Sequence, residues 1–293
     1  MKADNQNASR GIVLMVLAMA SFAIADVFIK LTAGVLSSAH TAFLLISGSL
    51  LVFIGLAKCQ GLPLSDKSAL SRVMLLRYAA ETSATLGMVQ ALQHIPLSTV
   101  GAILQATPLV VAAGAVVLLG ERVSWRRWSA IFIGFIGVLM IVQPGATSFD
   151  ANILWAVLAM LALSARDLTT RATPENMPSS SLAAYTMMAA APFTLLWVLS
   201  TEASLIPVNA NWWLILGMIG FATVGYLMII GSIRVAPVSV VSPFRYTRLL
   251  FLLALGVIVF GERPDFMMLG GSLLIIASGL YAMWREKQIE SRA

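Results

Sequence analysis

Long apolar stretches, separated by short polar segments, occupy most of the 293-residue chain. A helix needs about 20 apolar residues to cross the hydrocarbon core of a bilayer. Stretches near that length occur ten times and are numbered here as spans 1 to 10: 12–34, 39–57, 72–93, 98–119, 128–143, 152–170, 181–201, 212–233, 238–260 and 265–284. The pattern predicts an all-α polytopic membrane protein with ten transmembrane helices.

One sequence pattern occurs twice at a constant offset of 141 residues. The matches are Val-Leu-Ala-Met at 16–19 and 157–160, aspartate at 26 and 167, Pro-x-Ser-x-Val at 96–100 and 237–241, and Gly-Glu-Arg at 120–122 and 261–263. This offset predicts two five-helix repeats, 12–143 and 152–284. Because five is odd, the second repeat must enter the bilayer from the opposite side. Inverted repeats are typical of secondary transporters that work by alternating access.

Composition and charge agree with a membrane protein. The chain is 59% hydrophobic and 11% charged, with a mean hydropathy of +0.90, far from a soluble domain. Its net charge of +6 comes from bases that lie mostly on one predicted side of the membrane: Lys2, Arg10, Lys58, Lys67, Arg72, Arg122, Arg126, Arg127, Arg171, Arg234, Arg285, Lys287 and Arg292. The other side has Arg263, with Lys30 near a helix end. This asymmetry places both termini in the cytoplasm and indicates no nucleic-acid partner.

Cofactor and enzyme chemistry find little support in the sequence. The single Cys59 excludes an internal disulfide, and two histidines supply no metal cluster. The chain has no phosphate-binding glycine loop and no hydrolase motif. We therefore expect no metal, no cofactor and no catalytic residues.

Eight charged residues fall inside the predicted spans: Asp26, Lys30, Arg77, Glu81, Arg166, Asp167, Arg245 and Arg248. A charge at a helix centre costs roughly 2.5–3.5 kcal/mol on insertion scales, so such residues usually face the protein interior and serve function. Five bases against three acids leave an excess of two positive charges.

Three pairs spaced i,i+4 share a helix face: Asp26 with Lys30, Arg77 with Glu81, and Asp167 with Arg171. The pairs at 26 and 167 are repeated, and inversion places them on opposite sides of the membrane. Two roles stay open for them. They reach the headgroups near helix ends, or they form gates and proton-coupling sites.

Span 9 contains Pro243, Arg245 and Arg248, a combination that the first repeat lacks. The proline predicts a kink with a freed carbonyl. The two arginines share a face and suit a carboxylate, phosphate or other planar anion held bidentately. The alternative is that span 9 starts earlier and both arginines extend to the membrane surface.

With these repeats and the Pro-x-Ser and Gly-Glu-Arg patterns, the chain resembles the EamA-domain members of the drug/metabolite transporter superfamily. The resemblance covers nearly the whole chain as two tandem units. It implies a ten-helix carrier of the bacterial inner membrane, with a central cavity lined by spans 1, 3, 4, 6, 8 and 9. It places Gln105, Tyr226 and Tyr246 near that cavity, together with Arg77, Glu81 and Arg245. The Gly-Glu-Arg turns would cap a helix at a membrane interface.

The leading hypothesis is a secondary transporter for a small polar organic metabolite, anionic or zwitterionic and amino-acid-like. The predicted substrate-binding residues are Arg77, Tyr78, Glu81, Gln105, Tyr226, Arg245, Tyr246 and Arg248. Energy would come from the substrate gradient or from protons, with Glu81, Asp26 and Asp167 as proton sites, and the predicted partners are the small-molecule substrate and membrane lipid. The alternative within carriers is a larger flat aromatic cargo such as a flavin or purine, bound mainly by tyrosines. A polytopic membrane enzyme or a sensor is a more distant alternative.

Overall fold

A computed structural model describes residues 2–62, 67–119, 125–144, 150–171, 178–201, 205, 207, 211–236 and 238–290. Helices form nearly all of these ranges. They are α1 (Lys2–Leu31), α2 (Ser38–Cys59), α3 (Arg72–His94), α4 (Leu97–Leu104), α5 (Thr107–Leu119), α6 (Trp125–Val142), α7 (Ile153–Arg171), α8 (Ser179–Thr201), α9 (Trp212–Val235), α10 (Val238–Val241), α11 (Thr247–Phe260) and α12 (Phe266–Glu290). Two short 3₁₀ helices cover Lys67–Leu70 and Ser242–Tyr246.

Seven described segments are long and apolar enough to cross a membrane, and two further apolar helices are shorter. They correspond to every predicted span except span 3. That span is α3, whose Arg72, Arg77 and Glu81 lower its hydropathy. The all-α polytopic architecture with ten helical spans is therefore confirmed. Ten spans put both chain ends on one face, called the terminal side below; the other face is the opposite side.

Short polar side chains fix several helix ends. Ser37 and Ser71 accept hydrogen bonds from the amides of His40 and Met74, at the starts of α2 and α3. Gly261 ends α11 in the left-handed region at φ +63°, where glycine avoids a steric penalty. These caps satisfy backbone groups that would otherwise be left without partners at the membrane surface.

Spans 4 and 9 are both broken, at positions that the repeat makes equivalent. In span 9 the break is the 3₁₀ segment Ser242–Tyr246, which contains Pro243 as predicted. In span 4, predicted as one helix, α4 stops at Leu104 and α5 starts at Thr107. The continuous-helix prediction for span 4 is wrong because Pro108, at the start of α5, lacks the amide needed to continue α4.

Helix packing follows the repeat. The first helix of each predicted repeat packs against the third helix of the other, so that α1 contacts α9 and α7 contacts α3. The last helices, α6 and α12, pack against each other, as do α2 and α8. Exchange of the repeats leaves this set of contacts unchanged, as a two-fold relation requires. The inverted division into 12–143 and 152–284 stays a prediction that this packing supports.

Close contact between α6 and α12 depends on glycine. A Cβ atom at Gly137 would lie 2.6 Å from the carbonyl oxygen of Gly271. We expect Gly137→Ala to destabilise the protein by about 1–3 kcal/mol, since a backbone must move to admit the methyl group. Gly55→Ala is the matched control, because nothing lies within 4 Å of its Cβ position. Unfolding in detergent measures both variants, and equal stability would show that this contact does not limit packing.

Candidate functional site

A chain of ion pairs joins α3, α7 and span 9 within the bundle. Arg166 Nη1 lies 3.3 Å from Glu81 Oε1, and Arg166 Nη2 lies 2.7 Å from Asp167 Oδ1. Arg245 Nη1 lies 3.7 Å from Asp167 Oδ2 and is the loosest link. The Arg245 side chain is 38% exposed, the most accessible of the four. We call Glu81, Arg166, Asp167 and Arg245 the ionic chain.

Arg77 lies beside the ionic chain and is almost completely buried, with 4% of its surface exposed. Its Nε donates to Thr170 Oγ1 at 3.0 Å and its Nη1 to Thr186 Oγ1 at 2.6 Å. The Tyr226 hydroxyl is a further close neighbour. Although Arg77 and Glu81 have the spacing of a pair on one helix face, the Glu81 carboxylate turns to Arg166 on α7 instead.

A second buried pair links the two repeats. Arg248 Nη2 donates to Asp26 Oδ2 at 2.6 Å, and the Arg248 guanidinium lies 5.5 Å from the ring centroid of Phe22. The i,i+4 spacing favours a pair between Asp26 and Lys30 on α1. In the structure Asp26 pairs instead with Arg248 on α11. Arg248 and Arg245 thus bind Asp26 and Asp167, the two aspartates that the repeat makes equivalent. Both arginines contact helices inside the bundle instead of extending to the membrane surface.

The two helix breaks meet at Gln105. Its Nε2 donates to the carbonyl oxygen of Tyr246 at 3.1 Å, and the side chain is buried. These two residues are exactly one repeat offset apart, so each break contacts its own counterpart. Discontinuous helices at a repeat interface commonly mark the substrate site of secondary transporters.

Two predicted site residues turn their side chains elsewhere. The Tyr246 ring packs against α12, where a methyl group at Gly279 would collide with the Tyr246 hydroxyl. Tyr78 packs with Met74 and Tyr185 in a separate apolar cluster. Tyr226 lies beside Arg77, Glu81 and Arg166, and its ring meets Phe53 edge to face at 5.2 Å.

Lys30 and Glu262 meet on the opposite side of the bundle. The Glu262 carboxylate accepts from Leu97 N at 2.5 Å, Ser98 N at 2.9 Å and Ser98 Oγ at 2.6 Å, at the start of α4. Lys30 Nζ donates to the Ile95 carbonyl at 2.6 Å and lies 3.9 Å from Glu262. A carboxylate at a helix N-terminus is favoured by the free amides and the helix dipole. We call these five residues the latch.

Sequence reasoning missed Glu262 as a partner of Lys30, although the Gly-Glu-Arg repeat marked it. It also left Thr170 and Thr186 unmentioned, because hydroxyl residues in apolar helices give no distinctive pattern. The side chain of Arg171, and the Glu121 counterpart of Glu262, lie outside the described residues.

A polar pocket of about 370 Å³ lies beside the latch, between the α1–α2 turn and the ends of α3 and α8. Gln93 lines this pocket, and three hydrogen bonds hold its side chain: the amide nitrogen donates to Thr32 and Thr41, and the amide oxygen accepts from Ser38. This pocket is separate from the ionic chain.

Comparisons with known proteins agree on one class. The S-adenosylmethionine uptake transporter of Rickettsia bellii is 26% identical over 229 residues, 74% of this chain and 73% of that protein. The riboflavin transporter of Vibrio cholerae is 28% identical over 189 residues, 64% and 63% of the two chains. The pseudopaline exporter CntI of Pseudomonas aeruginosa is 24% identical over 278 residues, 92% and 94%.

A solved crystal structure has the same fold, with a TM-score of 0.60 and 17% identity over 98% of this chain and 99% of that chain. The model of the EamA-like transporter family matches twice, over residues 9–143 and 151–284. These matches cover both halves and confirm the predicted family, and together with the relatives they indicate a transporter rather than an enzyme. The chain is a multi-pass membrane protein that belongs to the EamA-like transporter family.

Proposed function

We propose that this transporter is a secondary carrier of the bacterial inner membrane, with both termini in the cytoplasm, and that its cargo is a small polar metabolite carrying an acidic group. The observation that carries the proposal is the ionic chain. Its charged groups come from three spans, lie next to the broken segment of span 9, and end in an accessible, loosely paired Arg245. An anionic group of the cargo would replace Asp167 at this guanidinium.

Alternating access requires that one side be closed while the other is open. The latch closes the opposite side, so the ionic chain would be reached from the terminal side. The repeat places Glu121 and Arg171 at the sequence positions of Glu262 and Lys30. We propose that they provide the equivalent latch in the alternate state, which gives Lys30 and Arg171 the gating role. Asp26 and Asp167, which pair with the arginines of span 9, would then serve cargo binding and proton coupling instead of the latches.

Proton coupling belongs to the same proposal. Glu81 and Asp167 are the carboxylates of the ionic chain, and protonation of either would release its arginine for the cargo. Asp26, with its side chain 5% exposed and one arginine partner, is the third candidate.

A flat aromatic cargo is the second candidate. Tyr226 and Phe53 form an edge-to-face pair next to the ionic chain, and a ring could stack there. The relative named as a riboflavin transporter favours the same possibility.

A thermal-shift screen of the purified protein in detergent tests the proposal. We expect carboxylates or phosphates to stabilise the wild type and to lose this effect in Arg245→Ala. A ligand at 100 times its dissociation constant adds about 2.7 kcal/mol to the native state. Arg263→Ala is the control, since it removes an exposed arginine from the opposite side. Equal stabilisation of wild type and Arg245→Ala by flat neutral compounds would favour the aromatic cargo instead.

A further inference from the structure

We infer that the transporter binds its cargo as a species of net charge −1, which balances the unmatched positive charge of Arg77 in the bound complex. This rests on the proposed function and specifies its cargo. Neutral and zwitterionic molecules of the same shape would be poor cargo.

Among the described residues, the charges inside the bundle nearly cancel, with one exception. Lys30 is matched by Glu262, and Arg248 by Asp26. In the ionic chain two arginines are matched by two carboxylates. Arg77 remains. Within the described residues no carboxylate lies within the 4.0 Å of a salt bridge to its guanidinium, so the bundle carries an excess of one positive charge.

The surroundings of Arg77 orient its charge without neutralising it. Thr170 and Thr186 accept two of the five N–H groups of the guanidinium, and both acceptors are neutral hydroxyls. A buried charge is costly unless it is paired. A guanidinium that is buried, held in one orientation and left without a salt-bridge partner is suited to an anion that arrives and leaves.

The position of Arg77 connects this unmatched charge to the cargo site. The Tyr226 hydroxyl is a close neighbour of Arg77, and Glu81 and Arg166 of the ionic chain are near enough to interact electrostatically with the same hydroxyl. The second repeat has Met218 where the first has Arg77, and Met218 is fully buried. A scaffold role would be duplicated by the repeat. An unduplicated charge at this place points to recognition of the cargo.

Acid and amide pairs of equal shape test the inference, because they differ by one charge and little else. The probes are glutamate with glutamine, aspartate with asparagine, and nicotinate with nicotinamide, each titrated against the protein in detergent by thermal shift. We expect at least one acid to bind about tenfold or more tightly than its amide, the size of a hydrogen bond to a charged group. Arg77→Gln should abolish this preference, and Arg77→Lys, which keeps the charge, should retain part of it.

Arg72→Gln is the matched control, since it removes an exposed arginine from the same helix and should leave the preference unchanged. If an amide binds as tightly as its acid, or if no acid binds, the inference of a net monoanion is wrong. The carrier proposal stands separately in that case, because it is tested by whether any ligand requires Arg245. Should Arg77→Gln fail to fold, loss of the preference in Thr186→Val, which removes one orienting hydroxyl, supports the inference and an unchanged preference overturns it.

Discussion

Replacing Asp26 with asparagine should lower the free energy of unfolding by about 3–5 kcal/mol, because the change leaves the partly buried Arg248 guanidinium without its countercharge. The Asp26 carboxylate is 5% exposed and accepts at 2.6 Å from Arg248 Nη2. The single variant Arg248→Met should be similarly destabilised, since it strands the carboxylate.

The double variant Asp26→Asn/Arg248→Met should be less destabilised than the sum of the two single variants. Removing both charges eliminates the unpaired ion that dominates each single change, and coupling energies of contacting pairs reach about 0.5–3 kcal/mol. Asp26→Asn combined with Lys30→Met is the control cycle. Lys30 contacts Ile95 and Glu262 instead of Asp26, so these two changes should add.

Chemical unfolding in detergent, followed by tryptophan fluorescence, measures both cycles. Strong coupling between residues 26 and 30, with none between 26 and 248, would restore the pairing that sequence spacing predicts and contradict the pairing in the structure.

The sequence predicted the membrane-spanning helices well but the ion pairs between charged side chains poorly, for a physical reason. Apolar length decides which segments cross a bilayer, and the constant offset decides how they repeat; both are properties of the chain itself. The pairs that Glu81 and Asp26 form with Arg166 and Arg248 join residues that are 85 and 222 positions apart. An ion pair between i,i+4 neighbours on a helix surface stabilises the helix by less than about 0.5 kcal/mol. A more deeply buried ion pair with a residue on another helix therefore forms in its place.

The break in span 4 could have been predicted from Pro108. A proline near a helix start supplies no amide and favours a new first turn. The apolar pattern runs through this point without interruption, which concealed the break. Pro243 in span 9 was easier to interpret because charged residues surround it.

The excess of two positive charges predicted from the sequence becomes one in the structure because Glu262 folds back into the bundle. Gly261 takes a left-handed conformation and reverses the chain after α11. The carboxylate then lies over Gly256, where a Cβ atom would come within 2.5 Å of Glu262 Oε2. Glu262, which the sequence places in a loop, is therefore a buried carboxylate that balances the charge of Lys30.

Replacing Glu262 with alanine should have a comparably large effect, with a local signature. The variant leaves three hydrogen-bond donors of Leu97 and Ser98 without their acceptor and removes the carboxylate beside Lys30. We expect a loss of about 3–5 kcal/mol in the free energy of unfolding. Hydrogen–deuterium exchange should accelerate in peptides that cover the start of α4, because its first amides lose their bonds.

Asp265→Ala separates the latch from ordinary helix capping. Asp265 lies in the same turn and also accepts from a helix N-terminus, through Met268 N at 2.6 Å, but it is exposed and caps its own following helix. Its loss should cost about 1 kcal/mol, the usual value for a cap, and should leave exchange in α4 unchanged. Equal effects of the two variants on α4 would show that Glu262 is a cap and not a latch.

Transport by reconstituted Glu262→Ala then distinguishes a gate from a static brace. A carrier that alternates must break the latch once in each cycle, and its closed state on the opposite side depends on the latch. Without Glu262 that closed state is destabilised relative to the open one, so ligand binding should persist while net transport falls. A static brace predicts a different outcome, because a weakened bundle that keeps the same resting state would lose binding and transport together.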